Sequence, residues 1–164
     1  VGEPTSNAPL TGHKGGLYLN AKTTGVTAHS SMPELGDNAI YKAARAINSI
    51  EKLKFDVSED KLLGFPTINV GTIIGGLNLN SVPDNAEFTI AKVCNVNLNS
   101  TKIQKVAPYL TDASVLTPWL NNVPTIILGP GEAQMAHQTD EFCYVHKLEE
   151  AVKIYKRIIQ ENSK

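Results

Sequence analysis

Two separated segments of this sequence each carry one side chain that could bind a metal ion. The first is GEPT at Gly2–Thr5, where Glu3 supplies a carboxylate. The second is GPGEAQMAHQTDE at Gly129–Glu141, where His137 supplies an imidazole. Carboxylate oxygens and imidazole nitrogens are the ligands of hydrolytic zinc sites that lack thiolates. Two ligands do not complete such a site, so the chemistry depends on which other residues join them.

Further positions could contribute to a site, and each also has an ordinary structural explanation. His29 lies among small and polar residues in TAHSSMP, a setting in which a histidine is more often a simple surface residue. Asn80 follows a glycine pair in GGLNLNSVP, where asparagine suits a loop for conformational reasons alone. The GPG turn at Gly129 could bind an anion through its backbone amides, or could simply end a strand. Asp112 could be a helix cap, and Glu3 alone could be an ordinary loop carboxylate.

The first half of the chain has the hydrophobic patterns of a small α/β sandwich. Alternating residues predict a strand over Gly15–Thr24, and apolar residues at three- and four-residue spacing predict a helix over Asp37–Leu53, with Asp37 as its candidate N-cap. β-Branched residues predict two more strands, at Thr67–Ile74 and Ala86–Ile90. The order β-α-β-β is most of a split β-α-β sandwich, which needs one more helix and strand to close its sheet.

The second half has a weaker pattern with a different order. Ala91–Val106 suggests a helix with a break, and Val123–Leu128 reads as a short buried parallel strand ahead of the GPG turn. Apolar residues from Leu148 to Ile159 predict a closing amphipathic helix. A strand, a loop with a histidine and a helix form an α/β arrangement that places ligands at strand ends. Two structural pieces are therefore expected, with a junction near residues 90 and 91.

Composition limits the partners and the cellular setting that we expect. The net charge of -1, without any block of like charges, gives no reason to expect nucleic acid or a membrane surface as a partner. Cys94 and Cys143 have no CxxC spacing, so neither a zinc knuckle nor a disulfide framework is indicated. No apolar run reaches the ~20 residues of a membrane span. These features favour a cytoplasmic protein.

Five stretches resemble, in their residues and in their order, the sequences of the dinuclear zinc amidohydrolases. This family includes succinyl-diaminopimelate desuccinylase, acetylornithine deacetylase, aminoacylase and the glutamate carboxypeptidases. The stretches are GEPT, TGVTAHSSMPELGDNAI, INVGTIIGGLNLNSVPDNAEF, YLTDASVLT and ILGPGEAQMAHQTDEF. The resemblance implies an incomplete ferredoxin-like β-α-β-β lid domain, attached to the C-terminal part of an α/β zinc-hydrolase catalytic domain. The implied division is residues 1–14 and 91–164 for the catalytic parts and residues 15–90 for the lid.

The same resemblance implies a role for each candidate residue. Glu3 and His137 would each bind one of two zinc ions, for which cobalt or manganese could substitute. His29 would be the catalytic lid histidine that stabilises the oxyanion in the partner subunit's site. Asn80 would meet the substrate across the dimer, and Gly129 would line the substrate site. The implied partners are a second copy through the lid, and a small N-acyl amino acid or a short peptide.

Two departures from the family pattern suggest that the 164 residues are an inactive fragment. The family's His-x-Asp segment has no counterpart, and the one Glu-Glu pair, Glu149–Glu150, lies on the closing helix. The substrate-binding arginine that usually follows the third lid strand is replaced by Ala91-Lys92-Val93. The expected function is that of a metal-dependent amide hydrolase resembling the desuccinylase or the deacetylase. A dipeptidase of the same family and a non-catalytic dimerisation or binding module remain alternatives.

Overall fold

A computed structural model describes residues 1–95 and 105–163 of the chain, which form two compact units that are treated separately below. The first, called the sheet unit, consists of Gly16–Asp60 and Gly64–Asn95. The second, called the loop unit, consists of Val1–Gly15, Lys61–Leu63 and the described residues from Lys105 onward. The assignment of these parts to a lid and a catalytic domain stays a prediction at this point.

Strands and helices form a mixed α/β arrangement, which confirms the predicted α/β class. In chain order the elements are β1 (Gly12–His13), β2 (Gly15–Thr24), α1 (Ala39–Glu51), β3 (Thr67–Gly75), β4 (Asn85–Cys94), β5 (Val106–Ala107), α2 (Ala113–Trp119) and α3 (Val145–Asn162). Short 3-10 turns lie at Pro33–Leu35 and Ala133–Met135. Within the described residues, no helix is long and apolar enough to cross a membrane.

The sheet unit is a three-stranded sheet in which β4 lies between β2 and β3. β3 runs antiparallel to β4, and a bulge between Val70 and Thr72 adds one residue to β3. Because of that extra residue, Val70 lies opposite Ile90 and Ile73 lies opposite Phe88, two positions on the same face of β4. The bulge therefore keeps Val70 and Ile73 on the same face of the sheet, although they are three residues apart.

Small residues let α1 pack closely on that face of β3 and β4. The buried cluster consists of Ala39 and Ala43 of α1 with Ala86 and Phe88 of β4. Partly buried apolar residues surround the cluster, namely Ala21, Ile40, Ala46, Ile47, Ile50, Val70 and Ile90. The helix predicted over residues 37–53 is confirmed with slightly shorter ends, and the order β2-α1-β3-β4 agrees with the predicted β-α-β-β.

The N-terminus of α1 is capped by Asn38, so the prediction of Asp37 as the cap is wrong. The Asn38 side chain accepts a hydrogen bond from the Tyr41 amide at 3.1 Å. Asp37 instead exchanges two backbone hydrogen bonds with Val26, at 2.8 and 2.9 Å, and its carboxylate pairs with Lys42. This bridge fixes Asp37 one residue too early to cap the helix.

Strand β4 continues to Cys94, which corrects the helix predicted from Ala91. Lys92 and Val93 pair with Ile68 and Thr67 of β3, so the ladder of backbone hydrogen bonds extends the strand past Ile90. Weak helical periodicity among asparagines could not compete with this pairing. Residues 96–104 of the predicted helix lie outside the described residues, and Val106 belongs to the short strand β5.

In the loop unit, β1 and β5 form a two-residue parallel pair, and the segment before the GPG turn is not a regular strand. Within the predicted strand Val123–Leu128, only Ile127 forms a bridge, and it is antiparallel, to Leu10. Ile127 and Leu128 are buried, whereas Val123 is 46% exposed. The closing helix is confirmed as α3. Asp112 occupies the N-cap position of α2 without a capping side-chain hydrogen bond.

Candidate functional site

Residues 1–10 and 126–131 of the loop unit are joined by backbone hydrogen bonds at both ends. The Val1 nitrogen donates to the Ile126 carbonyl at 2.8 Å, and the Leu128 amide donates to the Val1 carbonyl at 2.9 Å. In a parallel pair, the N–H and the C=O of one residue bond to two residues of the other segment that are two positions apart, as Ile126 and Leu128 are here. Leu10 and Ile127 exchange two bonds of 2.9 Å. The two segments predicted to carry metal ligands therefore lie side by side.

Gly129 lies where these two segments come closest. A side chain at this position would overlap the Glu3 carbonyl oxygen, and its Cβ would lie 3.2 Å from the Glu3 carbonyl carbon and nitrogen. The Gly129 carbonyl accepts from the Asn7 amide at 2.8 Å, and its amide donates to the Thr5 hydroxyl at 3.1 Å. Only glycine allows this approach of the Glu3 backbone. The predicted role of Gly129 in substrate binding stays a prediction.

Two consecutive residues after GEPT adopt the left-handed backbone conformation. Ser6 has a φ of 54° and Asn7 a φ of 61°. The Ser6 amide donates to the Gly131 carbonyl at 2.8 Å, and its hydroxyl donates to the Glu132 carboxylate at 2.8 Å. Non-glycine residues persist in this conformation where surrounding contacts fix them, as these bonds do here.

Asn7 connects the same turn to helix α3. Its side-chain nitrogen donates to the Lys147 carbonyl at 2.9 Å and to the Glu150 carboxylate at 2.8 Å. The Lys147 ammonium donates to the Ser6 carbonyl at 3.3 Å. The hydrogen bond from Asn7 lowers the pKa of Glu150, and the positive charge of Lys147 adds to this effect. The first turns of α3 thus hold the end of the GEPT segment.

Glu3 is partly buried and lies near the phenol of Tyr109. The Tyr109 hydroxyl donates to the Pro4 carbonyl at 3.1 Å. Burial and the negative charge of Glu3 raise the pKa of Tyr109, so this phenol keeps its proton at neutral pH. A second tyrosine acts on the neighbouring segment, because the Tyr155 hydroxyl of α3 donates to the Leu128 carbonyl at 2.6 Å.

His137 is exposed and follows the 3-10 turn at Ala133–Met135. Its φ of 64° places it in the left-handed region, and its amide donates to the Glu141 carboxylate at 2.9 Å. A non-glycine residue held in this conformation is a strained feature that is often found at functional sites. The Glu141 carboxylate therefore fixes the backbone from which the imidazole extends.

The described residues provide part of a metal site at most. Glu3 and His137 have the donor types that zinc prefers, and both belong to the loop unit. Across residues 1–95 and 105–163, no three His, Cys, Asp or Glu side chains lie close enough together to hold a metal ion. Within the described residues, Glu3 and His137 therefore do not form a metal site by themselves, and their role as metal ligands stays a prediction.

In the sheet unit, His29 is exposed and its ring has one defined tautomer. The Ser31 amide donates to His29 Nδ1 at 3.2 Å, and the Ser31 hydroxyl lies 2.7 Å from the same nitrogen. A backbone amide can only donate, so Nδ1 accepts, and a neutral ring carries its proton on Nε2. The exposed ring thus offers an N–H donor from Nε2.

Two candidates from different parts of the sequence are neighbours in the sheet unit. His29 forms an isolated antiparallel bridge with Ser81, and the Ser30 amide donates to the Asn80 carbonyl at 3.0 Å. Asn80 is exposed, and its backbone N–H donates to the side-chain oxygen Oδ1 of Asn78 at 3.2 Å. The structure thus brings the segments of His29 and Asn80 together.

Several residues that organise these sites were missed in the sequence. They are Asn7, Ser31, Asn78, Tyr109, Glu132, Glu141 and Tyr155. All of them act through hydrogen bonds to a backbone or side chain, and the bonds of Asn7, Tyr109, Glu132 and Tyr155 connect distant parts of the chain. The bonds that involve Ser31, Asn78 and Glu141 join residues two to four positions apart, so only these are local enough to be suggested by sequence.

Comparison with known families and proteins shows which family this chain belongs to. Residues 11–105 match the peptidase dimerisation domain, and residues 76–161 match peptidase family M20/M25/M40. Each match covers more than half of the chain. The chain belongs to the M20/M25/M40 peptidase family. M20 proteins are generally metal-dependent peptidases, so the chain is part of a family of hydrolases.

Among the M20 relatives is a probable carboxypeptidase of Talaromyces marneffei, which is 28% identical over 217 aligned positions that cover 97% of this chain and 47% of the relative. An acetylornithine deacetylase of Buchnera aphidicola is 28% identical over 212 positions, covering 98% of this chain and 56% of the relative. The chain therefore spans about half the length of the curated relatives it matches. Because the alignments are longer than the 164-residue chain, these relatives also carry internal positions without a counterpart here.

Solved structures show the same fold. The aminopeptidase PepT of Bacillus cereus has a TM-score of 0.61 and 19% identity, with coverage of 97% of this chain and 55% of that chain. A tripeptidase of Staphylococcus aureus has a TM-score of 0.58 and 20% identity, with coverage of 86% and 50%. At these identities the likeness concerns the M20 fold alone.

Proposed function

We propose that this chain is the lid and the C-terminal part of a metal-dependent M20 hydrolase that cleaves amide bonds in N-acyl amino acids. The observation that carries the proposal is the double family match, to a peptidase dimerisation domain over residues 11–105 and to the peptidase family over residues 76–161. The contact between the segments of Glu3 and Gly129 supports it, because both segments would border one active site.

Glu3 and His137 would each be a ligand of one of two zinc ions, with cobalt or manganese as substitutes. When bound, such ions supply Lewis-acid activation of an amide carbonyl and of a water molecule. The contribution of this chain is to hold the two ligands. Gly129 and Tyr109 fix the backbone around Glu3, and Glu141 fixes the backbone of His137.

His29 would act as the catalytic donor of the lid, serving the active site of a second subunit. The support is its tautomer, since an exposed Nε2–H can donate a hydrogen bond to developing negative charge on a substrate oxygen. Asn80 would contact the substrate from the neighbouring segment. A donor carried on a lid is in place only when the lid closes, which couples catalysis to the exclusion of water.

The second subunit would be another copy of the same protein, paired through the sheet unit. Leu77 is 95% exposed and Leu79 is fully exposed, at 103% of the reference area, and these leucines alternate with Asn78 and Asn80. Large apolar side chains with this exposure favour burial against a partner. Light scattering coupled to size exclusion, at several concentrations of the chain, should show a dimer, and Leu77→Ser with Leu79→Ser should shift it to monomer.

N-Acetylornithine is a leading substrate, since relatives named acetylornithine deacetylase align over nearly the whole chain. N-Succinyl-diaminopimelate is the other, since the GEPT and AHSSMP motifs resemble the desuccinylase branch as well. Carboxypeptidase-named relatives align equally well, so short peptides form the second class, as a dipeptidase would require. We also propose a cytoplasmic location for the complete enzyme, since neither unpaired cysteine indicates an oxidising compartment.

The 164 residues alone would be inactive, because they contain neither a His-x-Asp segment nor a Glu-Glu pair at a strand end. A non-catalytic dimerisation module is the competing function. The test joins this chain to the remaining M20 ligand segments and measures zinc content and amide hydrolysis for the parent, His137→Ala and His29→Ala. We expect His137→Ala to lose zinc, and His29→Ala to keep zinc but lose most turnover. Unchanged zinc and turnover in both variants would favour the dimerisation module.

A further inference from the structure

We infer that Tyr109 is a positioning residue for Glu3, which holds the Glu3-Pro4 backbone in the place where the Glu3 carboxylate can reach a metal ion. This inference rests on the proposed function, because it assigns a partner to a proposed ligand. Nothing in the family match or in the names of the relatives gives Tyr109 a role.

The hydrogen bond from Tyr109 acts on the peptide group that leaves Pro4. Proline has no N–H and a fixed φ, so its carbonyl is the one hydrogen-bonding group of its backbone. The Tyr109 hydroxyl donates to that carbonyl at 3.1 Å, in a partly buried contact between residues 105 positions apart in sequence. The orientation of this peptide group therefore depends on the phenol.

Tyr109 is itself anchored, so it can hold another segment in place. Its carbonyl accepts from the Lys14 amide at 3.1 Å, directly after strand β1. Thr111, two residues further on, is buried and its hydroxyl accepts from the Ala113 amide at 3.3 Å at the start of α2. The phenol thus extends from a backbone that is fixed at Tyr109 itself and again two residues later.

Glu3 is held by Gly129 as well, and the two contacts have different functions. The close approach to Gly129 sets how near the Glu3 backbone comes to the neighbouring segment. The bond from Tyr109 sets the rotation of the next peptide group, and the carboxylate is near enough for its charge to act on the phenol. Removing the Tyr109 hydroxyl should let the Pro4–Thr5 peptide group rotate, and it should leave the close contact between Glu3 and Gly129 unchanged.

Tyr155 provides a matched control within the same unit. Its hydroxyl also donates to a backbone carbonyl, that of Leu128, at 2.6 Å. Tyr155→Phe removes the same kind of bond from the segment that carries Gly129, whereas Tyr109→Phe removes it from the segment that carries Glu3. A general loss of stability would affect both variants alike, and a positioning effect on Glu3 would appear in one.

The experiment uses the chain joined to the remaining M20 ligand segments, because Glu3 and His137 form no metal site by themselves within the described residues, together with its Tyr109→Phe, Tyr155→Phe and Glu3→Gln variants. Co²⁺ is titrated as a spectroscopic probe, with affinity and visible absorption as readouts, and amide hydrogen exchange is measured without metal. We expect Tyr109→Phe to weaken Co²⁺ binding about two- to tenfold, the worth of one hydrogen bond, and to speed exchange at Thr5, Ser6 and Asn7. Tyr155→Phe should leave Co²⁺ affinity and the exchange of these amides at parent values.

The two readouts separate this inference from the proposed function. If Glu3→Gln binds Co²⁺ as the parent does, or if the parent binds none, Glu3 is not a metal ligand in this protein. Hydrogen exchange alone then tests whether Tyr109 positions the Glu3-Pro4 backbone. Faster exchange at Thr5–Asn7 in Tyr109→Phe only would then still support positioning. Equal exchange in the two tyrosine variants would overturn the inference, whatever the metal data show.

Discussion

The sheet unit and the loop unit are stabilised in different ways. In the sheet unit, nine- and ten-residue strands share a continuous ladder of backbone bonds, and α1 covers one face with alanines. In the loop unit, β1 and β5 contribute two residues each, and single hydrogen bonds from side chains and backbone connect segments more than 100 residues apart. Many equivalent backbone hydrogen bonds stabilise the sheet unit, and a few individual contacts stabilise the loop unit.

This difference determines how each unit should respond to mutation. A ladder distributes its stability over many equivalent bonds. Most single substitutions there should therefore change the free energy of unfolding little, unless the new side chain clashes with backbone atoms. The loop unit depends on residues such as Ser6 and Asn7, whose left-handed conformation is fixed by a few bonds. Loss of one such bond should change the local backbone conformation, and it should change the free energy of global unfolding only a little.

The largest effect is expected at Gly25, where the sheet unit has its own close backbone contact. A Cβ there would overlap the Asp37 carbonyl oxygen and lie 3.1 Å from the Ala39 nitrogen, at the start of α1. Gly25→Ala should lower the free energy of unfolding by ~3 kcal/mol, because backbone atoms must move. Urea unfolding followed by circular dichroism measures this change.

The control for Gly25 is Gly71→Ala in the same unit. The nearest atom to its added Cβ is the Thr89 hydroxyl oxygen, at an ordinary 3.4 Å. We expect a loss of less than ~1 kcal/mol there. Equal losses at both glycines would show that the sheet unit does not depend on this backbone contact.

Gly129→Ala tests the corresponding contact in the loop unit. The added Cβ would overlap the Glu3 carbonyl oxygen, and we expect a loss of ~2 kcal/mol, less than at Gly25 because an irregular segment can shift. The single tryptophan, Trp119, lies in this unit, so its fluorescence during urea unfolding reports the loss. Gly2→Ala, with no atom within 4 Å of its Cβ, should behave like the parent.

Asn38→Ala should cost ~1 kcal/mol, the usual worth of an N-cap. Asp37→Ala should cost less than ~0.5 kcal/mol, because its carboxylate forms only a solvent-exposed pair with Lys42. Thermal unfolding of the two variants compares the cap seen in the structure with the one expected from sequence. A larger loss for Asp37→Ala would reverse that assignment.

Sequence patterns predicted the sheet unit better than the loop unit, for a physical reason. Alternation and helical spacing are local, and they located β2, α1 and β3 to within about two residues at most ends. The end of β4 at Cys94 depended on pairing with β3, which no local pattern records. In the loop unit, the positions of Tyr109 and Tyr155 depend on partners over distances that periodicity does not reach.

The candidate site residues also differ in how much of their structure a local sequence pattern could predict. Glu3, His29, Asn80, Gly129 and His137 were selected because their motifs resemble a family, and the structure then placed GEPT beside GPG and His29 beside Asn80. The left-handed φ of His137 could not be predicted, because positive φ is uncommon for any non-glycine residue, histidine included. Its cause is the Glu141 carboxylate four residues later.

The smallest effect concerns pH, and it should appear in the loop unit. The hydrogen bond from Asn7 holds the pKa of Glu150 below its ordinary value, and Lys147 and His146 contribute in the same direction, while desolvation opposes them. A depressed pKa in the folded state means that the ionised form favours folding. This contribution is present above the unfolded-state pKa and is lost as the pH falls through the folded-state pKa.

Titration of the Glu150 carboxyl carbon by NMR should therefore give a pKa below the ordinary glutamate value, and Asn7→Ala should move it back upward. Glu150→Gln should remove this part of the stability loss below neutral pH. In the sheet unit, the Lys22–Glu87 pair at 3.4 Å is solvent-exposed, so Glu87→Gln should change the acid dependence little. An equal change in both variants would mean that the two units do not differ in their dependence on single side-chain contacts.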